Sequence, residues 1–444
     1  MSRPRKVDNS YWTKRFAQLE AQYHGDSEAV FRALEREYST AAREVQDAIS
    51  AWYLRYAKNN SLTLVEARKQ LAAAELAELK WTIKEYIKYG QENALSGKWM
   101  AQLERASARV HISRYEALKL QMQHKLEVLY ASEEAKLAAH AKHVLDDGYL
   151  RTAYTIQKGT GVGSYVQPLD PDRIKRIVSK PWAPDGSNFS DRIWTNKGQM
   201  MNTLETELSQ MLIRGEAPDR AIKEIANRFN VSKSQAGNLV MTESAYFASE
   251  SQRQVFNELG IKKYRVIAAL DELTCDKCGG MDQMLIPENE RVAGVTAPPF
   301  HPRCRCTTIP GFEDMDDWGA NRAARNIAGN YIEVPANSTF EQWKKEHSRA
   351  PAVARIVGIT AANGATIKIV ASHFFDQMWR GYSVDDAIDA LHNPLHITQK
   401  VYKDGLPSYQ FIGRHSTVAY NPDIGKITSC WPTSSKRVKR YSKK

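Results

Sequence analysis

Four of the five cysteines in this 444-residue chain lie between Cys275 and Cys306. Cys275-Asp276-Lys277-Cys278 is followed, across a stretch bearing glycine and proline, by His301-Pro302-Arg303-Cys304-Arg305-Cys306. A C-x2-C pair and an H-x2-C-x-C run offer five soft or borderline donors (Cys275, Cys278, His301, Cys304 and Cys306), one more than tetrahedral zinc takes. Short spacings let each pair grip a single ion with little loss of backbone freedom. Three readings are open. The first is a closed zinc that stabilises a small, core-poor subdomain. The second is a catalytic zinc with an open position and a carboxylate base, for which Glu272 and Asp282 are candidates. The third is thiols that pack or oxidise without metal. All-cysteine sites are usually structural, which favours the first.

A second set of chemistry-bearing residues lies near the C-terminus. His373, Gln377 and Arg380 stand at i, i+4 and i+7, one face of an expected helix. A histidine can move a ribose 2′-hydroxyl proton near neutral pH, and an arginine can hold a phosphodiester through its transition state. Arg414, His415, Thr417, Thr433 and Ser434 add donors for the scissile phosphate. On this reading the domain needs no metal or cofactor for its chemistry. The bland alternative makes His373 a surface or capping residue and Arg380 a helix C-terminal cation. The tail Lys436-Arg437-Val438-Lys439-Arg440-Tyr441-Ser442-Lys443-Lys444 is either an electrostatic grip on RNA or DNA or a solubilising end.

These residues need elements to position them. From about residue 10 to 145 the sequence reads as helix after helix, without proline between Pro4 and Pro168. Leu118, Met122, Leu126 and Leu129 build one apolar face. Gly159 to Gly163 and the prolines at 168, 171, 181 and 184 read as a loop-rich join. Met200, Leu204, Leu208, Met211 and Leu212 form a second helical face, and a further helix is expected over 233–259, stopped by Gly260. Tyr264 to Leu270 reads as a strand feeding the cysteine segment, and about 311–360 reads as a connector.

In the C-terminal region Ser383-Val384-Asp385-Asp386 resembles a capping box opening a helix whose apolar face is Val384, Ala387, Ile388 and Leu391. Strands are expected at 396–402, 408–412, 416–420 and 426–431, with turns at Asp404-Gly405 and Asn421 to Gly425. The expected architecture is therefore multidomain. Mostly α-helical N-terminal (1–145) and central (146–262) regions lead to a Cys/His-rich subdomain (263–312). A linker (313–357) then leads to an α+β domain with an antiparallel sheet (358–444).

Lys and Arg exceed Asp and Glu by 11, a balance that favours a polyanionic partner such as nucleic acid, or simply keeps the protein soluble. No apolar run reaches the ~18–20 residues of a membrane span, and no secretory signal is expected at the start. Five cysteines in so long a chain do not make a disulfide scaffold.

Asp271-x2-Thr274-Cys275-x2-Cys278, followed by Pro298-Pro299-Phe300-His301-Pro302-Arg303-Cys304-Arg305-Cys306, resembles the hallmark of phage head-morphogenesis (Mu F-like) minor head proteins. Phe189 to Trp194 and Thr242-Glu243 sit where that family places such residues, although Met241 stands where it usually has arginine. The N-terminal region, with Tyr11-Trp12-x2-Arg15-Phe16 and Ala51-Trp52-Tyr53, is similar to minor head proteins of phages of Gram-positive bacteria, so the likeness covers roughly residues 10–315. The resemblance implies a virion protein of the capsid interior or portal region, present in host cytoplasm during assembly. Its implied partners are portal and capsid proteins and phage DNA, and it would leave with that DNA.

His373-x6-Arg380-Gly381-Tyr382-Ser383, Ala387-Ile388-x5-Pro394 and the closing Trp431-Pro432-Thr433-Ser434 look like barnase/EndoU/RelE-like nuclease domains. Members commonly carry an additional arginine where this chain has Gln377. That likeness implies a toxin-like endoribonuclease with RNA as substrate. The alternative is a structural, DNA-handling head protein whose C-terminal domain keeps only the fold.

Overall fold

The computed structural model describes residues 8–56, 114–163, 167–214, 217–312, 321–398, 401–403 and 406–442. The chain forms two compact units. One comprises Gln18–Lys262 and Glu288–Arg305. The other takes the N-terminal residues up to Ala17 together with Lys263–Pro287 and Cys306–Lys444.

The first unit is helical. Its elements are α1 (Asn9–Tyr56, entering from the N-terminal residues), α2 (Arg114–Thr160), α3 (Pro171–Ser179), α4 (Phe189–Arg214) and α5 (Asp219–Glu258). The expected stripe of Leu118, Met122, Leu126 and Leu129 is buried on α2, and Met200, Leu204, Leu208 and Met211 are buried on α4. Both join one core with Leu34, Val45, Ile49, Phe229 and Phe247. α2 runs unbroken through residue 145 and ends only at Gly161, whose φ of 68° suits glycine. Turn Asp404-Gly405 lies outside the described residues.

α5 begins 14 residues before the helix expected at 233 and stops as expected just before Gly260 (φ 68°). Buried residues run without a break from Glu243 to Gln252. A helix covered all round is one enclosed by its neighbours. Its polar groups are correspondingly tied, with Ser244 bonded to His140 at 3.2 Å and His140 to Ser27 at 3.1 Å.

In the second unit, β1 (Lys263–Ile267) pairs antiparallel with both β2 (Leu285–Pro287) and β3 (Thr307–Gly311). α6 (Asp276–Met281) lies between β1 and β2 in sequence. Trp12 and Phe16, both fully buried, belong to this unit, and the Trp12 ring meets Phe312 at 6.0 Å.

Within the stretch 313–357, expected as a linker, the described residues 321–357 carry regular structure. β4 (Asn321–Arg325) and β5 (Tyr331–Pro335) form a hairpin, followed by α7 (Phe340–His347) and α8 (Arg349–Ile356). Ala324, Val334, Phe340 and Trp343 pack with Leu270 into a small core.

The C-terminal strands are β6 (Ile369–Val370), β7 (His396–Ile397), β8 (Val401–Lys403), β9 (Leu406–Ile412), β10 (Ser416–Asn421) and β11 (Lys426–Pro432), in the order β6-β11-β10-β9-β7 with β8 on β9. The pairings are antiparallel except for β6 on β11. α9 (Ser372–Asp376), α10 (Val384–His392) and α11 (Ser435–Tyr441) complete it. The capping box at Ser383 and Asp386 forms as expected, and Val384, Ala387 and Leu391 enter a core with Phe374, Phe375, Phe411 and Val418.

Candidate functional site

The approach to Cys275 is a turn held by its own side chains. Asp271 Oδ1 accepts from the Leu273 backbone N–H at 2.9 Å, and the Thr274 hydroxyl donates to the Ala269 carbonyl at 2.6 Å. This is why aspartate and threonine stand where they do: each short side chain substitutes for a backbone partner and stiffens the turn. Cys275 then caps α6, its sulfur accepting from the Cys278 N–H at 3.5 Å. The C-x2-C spacing is thus one helical turn, with both thiols at its start. Gly279 follows because the Phe340 ring lies against it; a Cβ there would fall 2.0 Å from Phe340 Cδ1.

On the second half of the motif, the Cys304 N–H bonds to the His301 carbonyl at 3.2 Å, a tight turn in which Arg303 takes φ 60°. Arg303 is fixed from α5: its N–H donates to Thr242 Oγ1 at 3.1 Å and its Nε to Asn238 Oδ1 at 2.6 Å. Donor atoms of Cys275, Cys278 and His301 lie within 4.8 Å of one another, as do those of Cys278, Cys304 and Cys306. Sulfurs on one tetrahedral zinc stand about 3.8 Å apart, from Zn–S bonds of about 2.3 Å. Cys278 belongs to both groups, and either group could hold a metal ion.

The two carboxylates offered for a catalytic zinc are engaged elsewhere. Asp282 forms a two-pronged pair with Arg322 at 2.9 and 3.1 Å, both side chains being 1% exposed, and also accepts from the Ala268 N–H at 2.9 Å. Glu272 accepts from the Arg349 N–H. Asp282 is a strut, not a base, because its lone pairs are taken by a buried guanidinium.

The distant residues Phe189 to Trp194 and Thr242-Glu243 are joined by Glu243. It accepts from Arg192 Nη1 at 3.1 Å and from the Trp182 indole at 2.9 Å. Burial pushes its carboxyl up to about 6, against the opposing pull of Trp182 and Arg192. Trp182 stacks on Tyr246 at 4.7 Å with rings 10° from parallel. Arg192 also reaches Asp185 at 2.8 Å. Trp182, Asp185 and Arg303 were not singled out from sequence; the prolines flanking Trp182 and the invitation of an arginine inside the His-Cys run were the only signals.

Residues 202–309 match the family model for phage Mu protein F like protein. The matched stretch takes in the second half of α4, all of α5, β1 and the whole Cys/His segment. The match supports a phage Mu F-like head-morphogenesis protein. No match was found among curated proteins or among solved structures. Among the described residues no helix is long and apolar enough to cross a membrane.

Beyond the Mu F-like region, the C-terminal candidates are only partly assembled. Thr417 and Thr433 share a hydrogen bond at 2.8 Å, and the Thr433 N–H donates to the His415 carbonyl at 2.9 Å. Arg414 and His415 are exposed in the β9–β10 turn, and Ser434 is exposed ahead of α11. The expected single helix through His373, Gln377 and Arg380 is shorter in the structure. α9 ends at Asp376, Gln377 caps it while still in the right-handed helical region (φ −100°, ψ −1°), and Met378–Arg380 continue as a 3-10 turn. Phe374 and Phe375 are buried in the core, and Gly381 (φ 95°) ends the turn. His373 and Arg380 are both exposed.

Proposed function

We propose that the chain is a minor head protein of a tailed phage, working near the portal against capsid and portal proteins, handling phage DNA and leaving with it. The observation that carries this reading is the Mu F-like match together with the turn geometry of its Cys/His hallmark. Zinc is the metal its donor chemistry favours, held by thiolates among Cys275, Cys278, Cys304 and Cys306 with His301 as the alternative fourth donor. Its role is structural, since Asp282 and Glu272 are tied to other partners. Elemental analysis of the purified protein tests this: about one zinc per chain is expected, and none would defeat the assignment.

The C-terminal domain is proposed to act on RNA without metal. The 2′-oxygen attacks phosphorus as His373 or His415 takes its proton. The bond to the 5′-oxygen breaks as that oxygen takes a proton from water, leaving a 2′,3′-cyclic phosphate and a 5′-hydroxyl. Arg380, Arg414, Thr433 and Ser434 hold the phosphate oxygens as charge grows on them, with the buried Thr417 hydroxyl positioning Thr433. Incubating the full chain with a labelled RNA in EDTA tests this, with His373→Ala as the comparison. Intact RNA after long incubation would remove the enzymatic role. A second reading is favoured by the passage from α-helix to 3-10 turn at Gln377, between His373 and Arg380. On it the domain retains the fold and grips nucleic acid without cutting.

A further inference from the structure

We propose that α11 and the His396–Tyr441 ring pair form a binding surface for a single-stranded polynucleotide. α11 contains four basic residues, no acidic one and no buried residue. Its two sides have different work. Arg437 and Tyr441, four residues apart, share the side turned to the sheet: Arg437 donates to Gln410 of β9 at 2.9 Å, and Tyr441 stacks on His396 of β7. The other side presents Lys436, Lys439 and Arg440 at i, i+3 and i+4, all exposed. A docked helix holding three cations outward at helical spacing is a fixed electropositive ridge rather than a loose tail.

The ring pair adds what charge alone lacks. His396 and Tyr441 lie 4.4 Å apart at an interplanar angle of 3°, both half-buried, and the Arg440 guanidinium stands 5.5 Å from the Tyr441 centroid. Flat, partly exposed rings beside cations suit a base that is free of its partner strand. A duplex, whose bases are already stacked, can use only the cations. The ridge also continues directly from Thr433 and Ser434, so a strand lying along it runs toward Thr417, His415 and Arg414. The proposal deepens the RNA-directed reading of this domain and rests on it for that direction.

The test uses the full chain and a fluorescein-labelled single-stranded DNA 12-mer. This probe lacks the 2′-hydroxyl, so binding is read whether or not the domain cuts RNA. The same sequence as RNA and as duplex DNA provides comparisons. The single strands should bind at least tenfold more tightly than the duplex, with log affinity falling against log salt at a slope of about −2 for three phosphate contacts. Lys439→Glu with Arg440→Glu should weaken both single strands at least tenfold and flatten the slope. His396→Leu should weaken single strands about tenfold and leave the duplex unchanged, whereas His396→Phe should retain binding. Melting temperatures of all variants report folding. Single-strand binding untouched by the charge reversal, or equal binding of duplex and single strand, overturns the surface. Binding that survives while RNA stays whole overturns the nuclease alone.

Discussion

Asp282 and Arg322 are almost entirely withdrawn from water, and each is satisfied mainly by the other. Arg322 also donates to the Ala268 and Ser338 carbonyls at 2.8 and 3.1 Å, so β1's exit, the α6 segment and the β4 hairpin meet on one guanidinium. Removing one partner from a buried pair is costly because the other is left charged and alone. Arg322→Ala should lower unfolding free energy by about 3–5 kcal/mol. Arg322→Met combined with Asp282→Leu should cost less than either change alone, as measured by urea denaturation. Glu243 presents the opposite balance. Burial wins over Arg192, so its folded value of about 6 lies above the ordinary 4.5. The folded state then holds the proton more tightly, and the contribution to stability is complete below pH 4.5 and lost as pH rises through 6. Relative to wild type, Glu243→Gln should gain on the order of 2 kcal/mol between pH 4 and pH 8. A difference that stays constant over that range would contradict the assignment.

At the scale of elements, the long helices are legible in the sequence, and among the short ones α10 is, through its capping box. The stripes on α2 and α4 repeat often enough to be read without a partner in view. β4 shows why the connector was misread: in Asn321-Arg322-Ala323-Ala324-Arg325 the inward positions are Arg322 and Ala324. An inward arginine looks like surface until Asp282, 40 residues earlier, is placed beside it. The helix through His373 is shorter than its i, i+4, i+7 spacing implies, passing into a 3-10 turn after Gln377. The cysteine spacing, by contrast, is local chemistry, and its donors gather in two groups of three that share Cys278. What sequence concealed there was the support: Phe340 against Gly279, and Thr242 with Asn238 holding Arg303. Gly279→Ala should cost about 1–3 kcal/mol by pushing on the Phe340 ring. A melting temperature equal to wild type would show that α7 gives way freely.

For the whole molecule, the metal assignment and the RNA assignment are separable. A strong chelator should lower the melting temperature, while residual RNA cleavage at a temperature well below it should be unchanged. Cleavage lost in step with the metal would place the ion in the reaction and refute the structural role. Cys278 is shared by both donor groups, so Cys278→Ser should reproduce the chelator's loss of stability more fully than Cys275→Ser.

The burial of Trp12 against Phe312 has a consequence for synthesis. The two rings are separated by roughly 300 residues of chain, which a ribosome adding about 5–20 residues each second takes on the order of 15–60 s to make. Through that interval the indole of Trp12 has emerged and its companion ring does not exist. The nascent protein must carry its first aromatic residues unclaimed until the last third of the message is being read.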